Sequence, residues 1–199
     1  MEVRRTIENI LVVISTIRLI PHWIIYNVHG KREILSYEVI RWLKCLRKNY
    51  GKQFGFLYLM TFYKEYRNLF YKRVGLIKYF LGFFCRQMEY LTVHTEDIGP
   101  GLFIQHGWGT GVSAKSVGKD CFIAQQVTLG YSNETDCPII GDNVEIYTGA
   151  RIIGKVHIGN NSKVGTNTVV VKDVPENCTV VGVPAYIVKR NGVRVREEL

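Results

Sequence analysis

An aliphatic residue returns every sixth position through the second half of the chain: Ile98 and Ile104, then Val117, Ile123 and Leu129, then Ile140, Ile146, Ile152, Ile158, Val164 and Val170. Six matches neither the 3.6-residue period of a helix nor the alternation of a strand, and self-similarity at a fixed period marks a solenoid. Each hexapeptide is then one short side of a triangular coil. Many anchors are followed by Gly (Gly99, Gly118, Gly130, Gly141, Gly159, Gly165), where a corner needs a permissive backbone. Four positions past each anchor comes a second inward residue (Cys121, Val127, Val144, Ala150, Val156, Ser162, Thr168), and small residues there suit a narrow prism. The phase breaks twice. Ile104 and Val117 are thirteen apart, one more than two repeats, and Leu129 and Ile140 are eleven apart, which predicts a protruding loop over Tyr131 to Pro138. Insertions in repeat arrays collect on the functional face.

The segment IGPGLFIQHGWGTGVSAKSVGKDCFIAQQVTLGY and the following PIIGDNVEIYTGARIIGKVHIGNNSKVGTNTVVVKDVPENCTVVGVPAYIVKR resemble the hexapeptide-repeat acyltransferases, in particular the branch holding serine acetyltransferases and capsule and O-antigen O-acetyltransferases. The likeness covers about residues 96–190 and rests on many repeats in phase, a His in the first coils, VTLG with a loop after it, and the closing VGVPA. It implies a left-handed parallel β-helix, an exception to right-handed crossovers. It also implies a homotrimer with active sites between subunits.

The first half is patterned differently. Apolar residues recur at helical spacing in Ile7, Ile10, Leu11, Ile14 and in Phe56, Leu59, Met60, Tyr63, Tyr66, Phe70, with Pro21, Gly30, Gly51 and Gly75 as punctuation. The expected class is α+β: a helical N-terminal region, 1–90, followed by a left-handed β-helix with one protruding loop and a C-terminal tail, 91–199. The run Ile10 to Tyr26 contains Arg18, Pro21 and His22 and falls short of the roughly 20 clean apolar residues of a membrane span. It reads as a packed helix. The start also lacks the small-residue cleavage site of a signal peptide.

Charge follows the same division. Residues 1–96 hold 16 of the 26 Lys and Arg with 7 acids, and the remainder is balanced at ten of each. The basic runs Arg41 to Lys52 and Lys64 to Lys78 read as a solvated helical face or as peripheral contact with an anionic membrane surface. Nucleic acid is disfavoured because no recognised motif accompanies the charge. Five cysteines without C-x-x-C disfavour a disulfide framework or a zinc knuckle. A cytoplasmic location is expected, peripheral at the inner face of the membrane if the basic half binds lipid.

Of five histidines, His22 and His29 read as structural, His157 as outward-facing surface, and His94 as a junction residue with a supporting role at most. His106 stands at a corner of the first coils between Gln105 and Gly107, and it aligns with the family's catalytic histidine. Acyl transfer from a thioester to a hydroxyl needs a base that titrates near neutrality, and imidazoles ordinarily do so at about 6.5. The resemblance implies acetyl-CoA as co-substrate, no metal, and direct transfer with His106 as base. Backbone donors at Gly130 or Tyr131 would hold the oxyanion. The CoA arm is expected along later coils near Ala150, Gly165 and Thr166, with its phosphates at Lys172, Lys189 or Arg190.

The departures concern the acceptor. The family's orienting Asp falls at Leu91, leaving Glu96 and Asp97 as candidate partners of His106; the acid before the base is Gln105, and the loop His is Cys137. Charge-assisted hydrogen bonds contribute about 1.5–3 kcal/mol each, so losing two would weaken recognition of a zwitterionic serine. A sugar hydroxyl of a surface polysaccharide or its precursor, with Trp108 or Tyr131 as aromatic platform, is the expected acceptor. Serine, as in cysteine biosynthesis, is the alternative. A hexapeptide-repeat carbonic anhydrase, which needs three metal histidines on adjacent coils, is disfavoured with only His106 and His157 in the coils.

Overall fold

The computed structural model of the chain describes residues 2–199. Its internal contacts form two units, Met1–Met88 and Glu89–Leu199.

The first unit is helical: α1 (Glu2–Val28), α2 (Arg32–Cys45), α3 (Lys52–Phe62), α4 (Lys64–Val74) and, after a 3-10 turn, α5 (Lys78–Phe84). Gly30, Gly51 and Gly75 fall at the breaks, and Gly75 ends α4 with a φ of 65°. Pro21 does not break α1. It forfeits one backbone hydrogen bond, and the buried Leu19, His22 and Tyr26 anchor the helix on both sides of it. The core is aromatic, with Tyr26 stacked on Phe56 at 4.3 Å between centroids and Trp42 edge-on to Tyr66 at 5.2 Å. Two of the basic residues are structural rather than solvated. Arg73 pairs with buried Glu38 at 2.7 Å, and Arg67 donates to the carbonyls of Met60, Thr61 and Arg86.

The reading of α1 as a packed helix needs correction. Val12, Leu19 and Tyr26 are buried, but Ile7, Ile10, Ile14 and Ile17 on the other side are exposed, and the 26 residues Val3–Val28 are long and apolar enough to cross a membrane by length and composition. Of the residues that interrupt the run in sequence, His22 turns into the bundle, while Arg18 is exposed at the Leu11 edge of that apolar side.

The second unit is a parallel β-helix with three faces. The first face stacks strands Leu91–Val93, Thr110–Val112, Thr128–Gly130, Arg151–Ile153 and Val169–Val170. The second stacks Asp97–Ile98, Ser116–Val117, Ile139–Ile140 and His157–Ile158; the third stacks Phe103–Ile104, Phe122–Ile123, Glu145–Ile146, Lys163–Val164 and Cys178–Val181. All eleven anchors and all seven second inward residues are buried. The expected C-terminal tail is an antiparallel extension of the third face, Tyr186–Arg190 and Val193–Glu198.

The corners show why the spacing works. Gly118, between the second and third faces, would bring a Cβ within 2.5 Å of Gly141 backbone on the next coil, so close approach of backbones demands Gly there. The left-handed residues come two positions later, at Asp120, Asn143, Asn161 and Asn177. Asn tolerates that conformation, and the side chains ladder, Asn143 donating to Asn161 at 3.3 Å and Asn161 to Asn177 at 3.1 Å.

Register resolves the thirteen-residue gap. Ile104 pairs with Ile123 and Val112 with Leu129, so the chain takes eight residues where the next coil takes six. Val112 to Val117 then takes five. The gap is thus a two-residue insertion at the corner after Ile104 followed by a one-residue deletion, and Val112 is a further core anchor, fully buried.

Candidate active site

The two-residue insertion contains His106. It holds a left-handed backbone (φ 56°), its side chain is exposed, and the Trp108 N–H turns back onto the His106 carbonyl around Gly107. Gly109, with a φ of 63°, resumes the regular corner. The insertion therefore lifts the imidazole clear of the prism. Trp108, two residues on, is exposed and stacks on Tyr90 at 5.4 Å and 25°. Gln105 is exposed beside the base.

The corner between the third and first faces continues below His106 through Gln126, Gly149 and Asn167, one per coil. Coils lie about 4.8 Å apart, so Gly165 to Asn167 sits about 14 Å down the same edge. Thr166 is exposed there and Gly165 half-buried. Ala150 is fully buried, with its N–H bonded to the Tyr147 carbonyl at 3.2 Å and its carbonyl accepting from Thr128 at 3.0 Å, so it offers no contact to a ligand. The group that stands out on this edge is Arg151, which sequence patterning passed over. Its guanidinium donates to the carbonyls of Gln126, Gly149 (3.0 Å) and Ala150 (3.3 Å), fixing a cation beside the edge. The signal available in sequence was its place directly after an inward residue of the same corner.

The other expected site residues lie elsewhere. Glu96, at the corner between the first and second faces, and Asp97, which opens the second face, are exposed and not on His106's corner. Within one chain neither is placed to orient His106. Leu91 is buried in the prism, so the position expected for an orienting acid faces the core, and the outward residue next to it is Thr92. Gly130, Tyr131 and Cys137 also belong to the corner between the first and second faces, where the loop protrudes. Asn133 pins that loop by accepting from the N–H groups of Thr135 (2.9 Å) and Asp136 (2.8 Å) and donating to Asp136 Oδ2 (2.9 Å). Tyr131 is exposed and lies against Cys137, whose hydrogen bond raises the phenol above its ordinary pKa.

The three expected phosphate partners are dispersed. Lys172 lines a hollow of about 610 Å³ with Tyr186 and Arg196 and donates to the Leu199 carbonyl at 2.5 Å. Lys189 lines a different hollow with Asn161 and Lys163, and Arg190 is engaged by Glu197 at 2.6 Å, which raises its pKa. His157 is exposed on the second face. Among the described residues no three His, Cys, Asp or Glu are grouped as a metal site.

The bacterial transferase hexapeptide family (six repeats) matches residues 137–172. A serine acetyltransferase of Synechococcus elongatus is 36% identical over 132 residues, 64% of this chain and 54% of that protein. One of Staphylococcus aureus is 44% identical over 102 residues, 49% of this chain and 48% of that protein. The chain thus spans about half the length of these curated relatives. Among solved structures, Neisseria gonorrhoeae serine acetyltransferase in complex with serine matches with a TM-score of 0.65 and 29% identity, over 79% of this chain and 69% of that one. Brucella abortus serine acetyltransferase in complex with coenzyme A gives 0.66 and 25%, over 83% and 71%. The relatives named here are all serine acetyltransferases.

Proposed function

We propose, from its membership of the hexapeptide-repeat acyltransferases of the serine acetyltransferase-like type, that this chain transfers an acetyl group from acetyl-CoA to the hydroxyl of serine. The observation that carries the proposal is His106 raised on a two-residue insertion at one corner, above an open edge on which Arg151 is fixed. His106 takes the proton of the acceptor hydroxyl as its oxygen attacks the acetyl carbonyl, and returns that proton to the departing thiolate. No covalent enzyme species is needed. The edge through Gln126, Gly149, Gly165 and Thr166 is open to the acyl donor, and Arg151 suits its anionic end.

The base and the Tyr131–Cys137 loop occupy different corners of one prism. A site using both requires the loop corner of a second copy, which is the reason to propose a trimer with shared sites. Backbone donors at Gly130 or Tyr131 would then serve the oxyanion from across the interface.

One observation favours a sugar hydroxyl as second reading: the groups beside His106 are the neutral Gln105 and the Trp108–Tyr90 stack, with Cys137 in the loop. Thiol release from acetyl-CoA in the presence of L-serine, hexoses or acidic glycans separates the two. Saturable release with serine supports the proposal; release with a sugar alone selects the second reading, and release with neither overturns both.

A further inference from the structure

The first unit carries a surface that acyl transfer does not use. At 100° per residue, the exposed apolar side of α1 runs from Val13 through Ile17, Ile10, Ile14 and Ile7 to Leu11, an arc of about 160°. The opposite side holds Val12, Leu19, His22 and Tyr26 against the bundle. Only 22% of the most apolar 18-residue window of α1 is buried, so this is not a core helix.

A basic hollow of about 670 Å³ lies at the N-terminal end of α1, lined by Arg4, Arg5, Arg47 and Lys48 with one carboxylate, Glu8. Glu8 is already engaged by Lys48 at 2.7 Å and Arg4 at 3.2 Å. The hollow therefore keeps an excess of positive charge; at the same 100° per residue its Glu8 and Arg5 turn away from the apolar arc, whereas Arg4 lies about 20° beyond Leu11 and the exposed Arg18 falls between Ile7 and Leu11. A second exposed apolar patch, Leu76, Tyr79, Phe80 and Phe83, lies on the 3-10 turn and α5, and α5 packs against α1. Aromatic rings of this kind settle at the headgroup level of a bilayer.

We infer that α1 lies along the surface of an anionic phospholipid bilayer, with its exposed apolar side in the headgroup–acyl boundary and Arg4 and Arg18, at the Leu11 edge of that side, on lipid phosphates. An amphipathic helix with one apolar side, a packed opposite side and basic residues at its margin is the arrangement that lies in the interface plane. Spanning is disfavoured because the packed side ties α1 to helices rich in charge. A second copy of α1 fits less well. A two-helix seam buries a narrow stripe and would leave Val13 and Leu11 in water, and parallel pairing would bring two basic hollows together.

The test is flotation of the full chain with phosphatidylcholine vesicles, with and without phosphatidylglycerol. Binding should be at least about ten-fold stronger with the anionic lipid and should weaken as salt rises. The triple variant Ile10→Ser/Ile14→Ser/Ile17→Ser should stay folded by circular dichroism, because these side chains are exposed, and should lose flotation. Arg4→Gln/Arg18→Gln should keep the apolar contribution and lose the preference for phosphatidylglycerol. Wild type that fails to float even at low salt overturns the inference. So does a triple variant that floats normally, or a chain that resists extraction by alkaline carbonate and therefore spans. Dissociation of an oligomer in the triple variant, without flotation of wild type, would assign the apolar side to a second copy. Displacement by inorganic phosphate beyond the effect of chloride at equal ionic strength would assign Arg4 and Arg18 to free phosphate and also overturn it.

Discussion

Trp108 lies on Tyr90 with 5.4 Å between ring centroids and 25° between planes, two residues from His106. Both rings are exposed, so the stack is a wall beside the base rather than part of the core. Trp108→Ala should raise the acceptor KM by about ten-fold, the effect of losing roughly 1.4 kcal/mol of contact, and leave the KM for acetyl-CoA near its original value. Steady-state kinetics with each substrate varied in turn provides the check. An unchanged acceptor KM would remove Trp108 from the acceptor site.

His106→Ala should lower turnover by about 100-fold or more, within the range that general-base catalysis supplies. His157→Ala, an exposed imidazole on the second face of the same β-helix, should change little. Thermal denaturation of both variants should match wild type, since neither side chain is in the prism. Near-normal turnover of the His106 variant with its true acceptor would refute the mechanism.

The β-helix was legible because every anchor meets the same physical demand, an aliphatic side chain in a narrow prism, at constant spacing. Val112 was not, because an insertion of two and a deletion of one combine to a net shift of one, and linear spacing cannot separate them. Glu96 and Asp97 lie on a different corner from His106 within one chain for a related reason: nearness in sequence says nothing about which corner of a triangle a residue occupies. In α1, Arg18, Pro21 and His22 interrupt the apolar run only in one dimension. On the helix His22 turns into the bundle, Arg18 stands at the edge of the exposed apolar side and Pro21 costs that side no continuity, which is visible in the angular pattern of Ile7, Ile10, Ile14 and Ile17.

Gly118→Ala should destabilise the β-helix by about 2 kcal/mol, the usual cost of forcing extra volume into a close-packed site. The added methyl would stand 2.5 Å from the Gly141 carbonyl, a contact only backbone movement can relieve. Gly130→Ala, whose methyl would meet the Ile153 side chain at 3.3 Å, should cost less because a side chain can yield. Urea unfolding of the two variants tests the order, and equal losses would show that coil contact is not what selects Gly118.

His22 makes the stability of the helical unit depend on pH. It is fully buried, Nε2 meets the Tyr71 hydroxyl at 2.8 Å, and Nδ1 has no hydrogen-bond partner among the described residues. Burial above all, with Arg67 and Arg18 nearby, lowers its pKa from the usual 6.5 to about 4. Between those values the unfolded chain binds a proton that the folded chain does not, so stability is complete above about pH 6.5 and falls as the pH drops toward 4. The full effect is at most about 3 kcal/mol. Glu8, held below its ordinary pKa first by its hydrogen bond to Lys48, also loses stabilisation on acidification, but from its ordinary 4.5 downward. His22→Gln keeps a polar group for Tyr71 and cannot titrate, so the difference in unfolding free energy between wild type and variant should change with pH only between about 4 and 6.5. Urea unfolding across that range measures it, and a difference that stays flat would show that His22 is not the group responsible.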